Sequence, residues 1–112
     1  MYEYQATLVS VTDGDTVRLD IDLGFNVILH NMPIRLIGID APDARNPEGL
    51  VAKTYMKELL PVGTAITLIS YKDKTEKYGR ILGIVIISET SMNVNQEMVN
   101  KGHAVPYLTT RS

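Results

Sequence analysis

A chain of 112 residues suits one compact domain covering residues 1–112. Apolar residues make up 45%, enough for an ordinary core, and the absence of cysteine excludes both disulfides and thiolate metal sites. The net charge of −2 disfavours a broad electrostatic grip on nucleic acid, so such a contact is expected to be local, where a bound cation can help. The N-terminal stretch lacks a basic segment leading into an apolar run, so no signal peptide is expected and a cytoplasmic location follows as an expectation. No apolar run is long enough to span a bilayer, and no membrane contact is expected.

Residues 4–12 and 15–23 are β-rich and joined across Asp13-Gly14 as a hairpin. Asp20 and Asp22 alternate with Val17, Leu19, Ile21 and Leu23, which turns both carboxylates to solvent. Residues 23–25 make the next turn. Residues 26–32 pair loosely, and Pro33 separates them from 34–40, an almost wholly apolar stretch expected to be a buried central strand. A loop at 42–49 leads to a helix carrying Ala52, Tyr55, Met56, Leu59 and Leu60 on one side, closed by Pro61 and Gly63. Strands at 64–71 and 80–88 flank the charged turn "KDKTEKYG". A short helix then runs from Val94 to Lys101, with Asn93 or Asn95 as N-cap and Gly102 past its end. The order β-β-β-α-β-β-α predicts a mainly β, α+β fold. It is a five-stranded OB-type Greek-key barrel with one helix between strands three and four and a short C-terminal helix. An open α+β sheet is the alternative.

Asp13 and Asp15 flank Gly14 and repel each other. Turn chemistry explains them; so does a cation beside them. Asp40 ends the apolar segment, where it is either a turn residue that terminates the strand or, given barrel closure, shares an ion with Asp15. Arg35 sits between Ile34 and Leu36, so its guanidinium needs a partner if it points inward and otherwise reaches water from an edge. Arg80 is an ordinary surface residue by itself, yet two arginines near a divalent cation form a clamp for a phosphate gaining charge. Lys77 and Tyr78 lie in the charged turn. Tyr107 suits a core, a surface or a stacking platform for a base. His30 and His103 have no ligand spacing between them and are expected to be structural or superficial.

The segments "VTDGDTVRL", "IRLIGIDAPD", "EKYGRILGIVI" and "NVNQEMVNKG" occur in the order of the staphylococcal nuclease (thermonuclease) family, which the chain closely resembles from about residue 7 to residue 105. The resemblance implies an OB-fold endonuclease that uses Ca²⁺ to hydrolyse DNA and RNA, single-stranded or frayed, leaving 3′-phosphate ends. It implies Asp15 and Asp40 as metal carboxylates, the Ala41 carbonyl as a third ligand and Asp13 as holder of the metal's water. Arg35 and Arg80 resemble the phosphate clamp, Lys77 and Tyr78 match contacts to a terminal phosphate, and Tyr107 roughly matches an aromatic near the base. A monomer is expected. One departure stands out: where the family has glutamate to activate water, this chain has Asp43, a methylene shorter. A displacement of about 1 Å can cost on the order of 100-fold in rate. Glu48, in the loop, is the nearby substitute. A catalytically impaired OB module that binds single-stranded nucleic acid or nucleotides, and a scaffold for a protein partner, remain alternatives.

Overall fold

The computed structural model describes residues 2–75 and 79–107, with only the backbone of 72–75. Its elements are β1 (Tyr2–Asp13), β2 (Thr16–Gly24), β3 (Val27–Leu36), β4 (Ile39–Asp40), α1 (Pro47–Leu59), β5 (Ala65–Thr75), β6 (Ile81–Ile87), β7 (Met92–Asn93), α2 (Val94–Asn100) and β8 (Val105–Pro106). Alternation decides which face each strand buries. Ala6 and Leu8 face inward from β1, Val17, Leu19 and Ile21 from β2, Ile34 and Leu36 from β3, Ile66 and Leu68 from β5. A register shift between Leu8 and Ser10 breaks the alternation and lets Val11 point inward as well.

β1 pairs antiparallel with β2 and β5, β2 with β3, and β5 with β6. A short parallel pairing of Ile34–Leu36 with Ile81–Gly83 joins β3 to β6 and closes the sheet. The result is a closed five-stranded barrel of OB type, mainly β with two helices, as the element order predicts. Ala52, Met56 and Leu60 of the first helical segment and Val94 and Met98 of α2 complete the core from outside. None of the helices among the described residues is long and apolar enough to cross a membrane.

Several boundaries differ from the sequence expectation. The first hairpin turns at Gly14-Asp15, with Asp13 opposite Thr16, so Asp15 belongs to the turn and not to β2. Gly14 is needed for space: a Cβ there would lie 2.8 Å from Ala52 Cβ and 3.0 Å from Ala41 Cβ. Residues 26–32 are not a loose segment. Apart from Asn26, which stays in the turn, they form the first part of β3, which runs straight through Pro33 opposite Arg18. There β3 pairs with β2 alone, and an edge strand tolerates proline.

The apolar stretch 34–40 is not one strand either. It ends at Leu36, turns through Gly38 at φ +85°, and resumes as β4, which pairs with β8 through Ile39–Pro106 and Asp40–Val105. The first helix starts at Pro47, so Glu48 lies in its first turn and not in a loop. Asn93 is the N-cap of α2, its side chain accepting from the Gln96 N–H.

Candidate active site

Three features of the fold bring charged groups together. The β1–β2 turn carries Asp15, the end of β3 carries Arg35, and β4 carries Asp40. Arg35 points inward and is buried. Its Nη1 donates to the carbonyls of Leu36 and Ile39, both at 2.9 Å. Its Nη2 donates to Asp40 Oδ1 at 3.2 Å and lies 3.5 Å from Asp15 Oδ2. Both carboxylates therefore address one guanidinium nitrogen. A buried arginine needs such partners, because an uncompensated charge away from water costs several kcal/mol.

Asp15 is fixed on all sides. Oδ1 accepts from the Thr16 hydroxyl at 3.0 Å and Oδ2 from the Ala41 N–H at 2.8 Å. Thr16 Oγ1 accepts in turn from Arg80 Nη1 at 3.3 Å. One polar chain thus runs Arg80–Thr16–Asp15–Arg35–Asp40 across the barrel mouth. Sequence reasoning did not single out Thr16; its place beside Asp15 in "DGDT" was the available signal.

Asp13 stands apart from that pair. Its Oδ1 accepts from the Ala44 N–H at 3.0 Å and so ties the β1–β2 turn to the loop bearing Asp43. Asp43 is exposed and gripped by Arg45: the backbone N–H and Nε donate to Oδ1 at 2.8 and 3.1 Å, and Nη2 donates to Oδ2 at 2.9 Å. The Arg45 side-chain hydrogen bonds, then its backbone one, hold the Asp43 carboxyl below its ordinary range, and the same contact raises Arg45. Gly49, in the first turn of α1, makes this loop possible. A Cβ there would fall 1.8 Å from the Asp43 carbonyl oxygen. Gly49 was not legible in advance, since it matters only because the loop crosses α1; Arg45 was not singled out, and its place two residues after Asp43 was the available signal.

Two hollows flank the polar chain. A cleft of about 570 Å³ is bordered by Asp40, Ala41, Glu48, Val51, His103 and Val105. A groove of about 490 Å³ lies on the Arg80 side. Tyr107 is exposed, and its N–H donates to the Gly38 carbonyl at 2.8 Å. Lys77 and Tyr78 fall outside the described residues. His103 stacks on Tyr55, with ring centroids 4.7 Å apart, and His30 is exposed near Asp20 at 3.4 Å.

Asn95, expected only as a possible cap, is a buried anchor. Its Oδ1 accepts from the Val85 N–H at 3.0 Å, and its Nδ2 donates to the carbonyls of Ile37 at 2.9 Å and Gly83 at 3.2 Å. It fastens α2 to the point where β3 leaves the barrel, and hence supports the turn into Asp40.

The family described as staphylococcal nuclease homologue matches residues 33–112. The chain is 34% identical over 116 residues to Endonuclease YhcR of Bacillus subtilis, covering 94% of the chain and 9% of that protein. It is 38% identical over 100 residues to an uncharacterized endonuclease of Escherichia coli, covering 89% of the chain and 59% of that protein. A third relative, the uncharacterized protein MJ1439 of Methanocaldococcus jannaschii, is 27% identical over 131 residues, with 95% and 60% covered. The chain thus spans less than two thirds of each of these relatives. With the matched family extending over most of its length, on a closed barrel of the expected order, the chain belongs to the staphylococcal nuclease family.

Proposed function

We propose that the chain is a Ca²⁺-dependent endonuclease domain. It hydrolyses phosphodiester bonds in single-stranded or frayed DNA and RNA, breaking the bond to the 5′ oxygen and leaving 3′-phosphate ends. The observation that carries this reading is the meeting of Asp15, Asp40 and Arg35, with Arg80 joined to Asp15 through Thr16. Family membership and the endonuclease names of two relatives support it.

The donor set suits the cation. Among the described residues no group of three or more histidine, cysteine or carboxylate side chains is placed to hold a metal. A shell built on Asp15 and Asp40 therefore has to be completed by the Ala41 carbonyl and by water, with Asp13 acting on that water from outside. Calcium accepts such oxygen ligands, whereas a closed zinc site requires nitrogen or sulfur donors. When bound, Ca²⁺ supplies Lewis-acid polarisation of a phosphoryl oxygen.

The protein's own groups do the rest. Arg35 and Arg80 bind non-bridging phosphate oxygens and stabilise the charge that grows as phosphorus gains a fifth ligand. Asp43 orients the attacking water with one carboxylate oxygen and accepts its proton, which requires an arm of the Arg45 fork to let that oxygen go. Lys77 and Tyr78 take a terminal phosphate, and Tyr107 offers its ring to a base.

A second reading has its own observation. Asp43 is both short and already paired with Arg45, which favours an impaired module that binds nucleic acid with little cleavage. Glu48 borders the same cleft as Asp40 and is the substitute base. Digestion of single-stranded DNA with Ca²⁺ and with chelator tests the main reading: cleavage with calcium alone is expected, and binding without cleavage would transfer the case to the second. Asp43→Glu should raise the cleavage rate by about tenfold or more if the missing methylene limits it. An unchanged rate would remove Asp43 from the water-activating role.

A further inference from the structure

The groove on the Arg80 side is lined by Thr12, Thr16, Arg18, Pro33 and Arg80. It starts at the two residues that touch the polar chain and leads away from it. Among the described residues no carboxylate lines it, whereas the other cleft is bordered by Asp40 and Glu48. Thr16 and Arg18 alternate with buried Val17 and so project from one face of β2. The strand rise puts their backbones about 6.6 Å apart, a step comparable to that between neighbouring phosphates of an extended nucleic-acid strand.

Arg18 is held ready. Its Nη1 donates to the Asn31 carbonyl at 2.8 Å, which braces the guanidinium across the β2–β3 hairpin. Asn31 adopts φ +58°, and its own N–H donates to Asp20 Oδ1, so the brace rests on a fixed bulge. Among the described residues, no carboxylate lies within ion-pair distance of Arg18. In a chain of net charge −2, a half-buried, oriented cation left without a carboxylate on a groove wall marks a place for an external anion.

We propose that this groove is a subsite for the polynucleotide strand flanking the scissile phosphate. Arg18 binds the next phosphodiester and the Thr12 hydroxyl contacts the backbone beside it. The inference rests on the nuclease reading of the adjoining site, and it makes the enzyme favour a strand of several nucleotides over a dinucleotide.

The test is binding of a labelled oligothymidylate of about twelve nucleotides, followed with chelator present across about 50 to 200 mM salt. Arg18→Gln is expected to weaken binding about tenfold and to reduce the logarithmic salt slope by about 0.7, the contribution of one phosphate contact on a single strand. Arg18→Lys should restore the slope. Thr12→Glu, which leaves the Arg18–Asn31 brace in place, should weaken binding by a similar factor. In calcium, the ratio of kcat/KM for the oligonucleotide over that for a dinucleotide should fall in Arg18→Gln. Failure of the unmodified protein to bind, or the same affinity and slope in Arg18→Gln and Thr12→Glu as in the unmodified protein, overturns the subsite. Loss of calcium-supported cleavage in the unmodified protein would instead defeat the nuclease reading, and the binding series would still judge the groove.

Discussion

At the residue scale, the absence of a side chain at Gly49 lets the loop bearing Asp43 lie where it does. The loop bearing Asp43 crosses the first turn of α1 so closely that no side chain fits beneath it. Gly49→Ala must push the Asp43 carbonyl away or shift the helix start. Overpacking of this kind costs about 1–3 kcal/mol, to be read as a lower midpoint in thermal unfolding. The displaced carboxylate should also lose on the order of 100-fold in cleavage rate. A variant with normal midpoint and rate would mean that the loop and helix separate freely, which would leave Asp43 without a fixed position.

At the element scale, two contacts hold the helices in place. Asn95 satisfies the Val85 N–H and the Ile37 carbonyl inside the structure. Asn95→Leu strands both groups, at about 1–3 kcal/mol for a buried group left unsatisfied, and chemical denaturation should register that loss. The Tyr55 hydroxyl donates to Glu97 Oε2 at 2.8 Å and links α1 to α2. That bond, followed by burial, raises the phenol above its ordinary value of 10.0. Because the folded state holds the proton more tightly, the stabilisation is complete below pH 10 and disappears as pH rises through the raised value. Tyr55→Phe should therefore lower the thermal midpoint at neutral pH, and the gap from the unmodified protein should close in strong alkali. A gap that stays constant to high pH would separate the helix contact from the phenol's proton.

At the scale of the whole molecule, the barrel closes through three parallel pairs, Ile34–Ile81, Arg35–Leu82 and Leu36–Gly83. Closure therefore places Arg35 and the turn into Asp40 in one operation, so folding and assembly of the site are the same event. A ligand that binds only the assembled site stabilises the fold through RT ln(1 + [L]/Kd), about 2.7 kcal/mol at a hundredfold excess over Kd. Calcium at that excess should raise the thermal midpoint by several degrees, and Asp40→Asn should abolish most of the rise. An equal rise in Asp40→Asn would place the ion elsewhere.

The strands' alternation, the helical stripe through Ala52 and Met56, and the turn residues around Gly14 and Gly102 were legible because each is a local property with a fixed period or backbone demand. Four ordered motifs carried the family in the same way. The continuity of β3 through Pro33 was hidden, because only the absence of a second neighbour makes proline harmless there. The break of 34–40 at Gly38 was hidden too, since a uniformly apolar run does not say where one strand ends and β8 supplies a new partner. The amino-acid order by itself determined the barrel's strand sequence, its core and the identity of its charged residues. The tertiary structure alone decided that Arg35 lies between Asp15 and Asp40, and that Arg18 faces a groove which no carboxylate of the described residues lines. Those are relations between separate segments of the chain, and they come into being only when the sheet closes on itself.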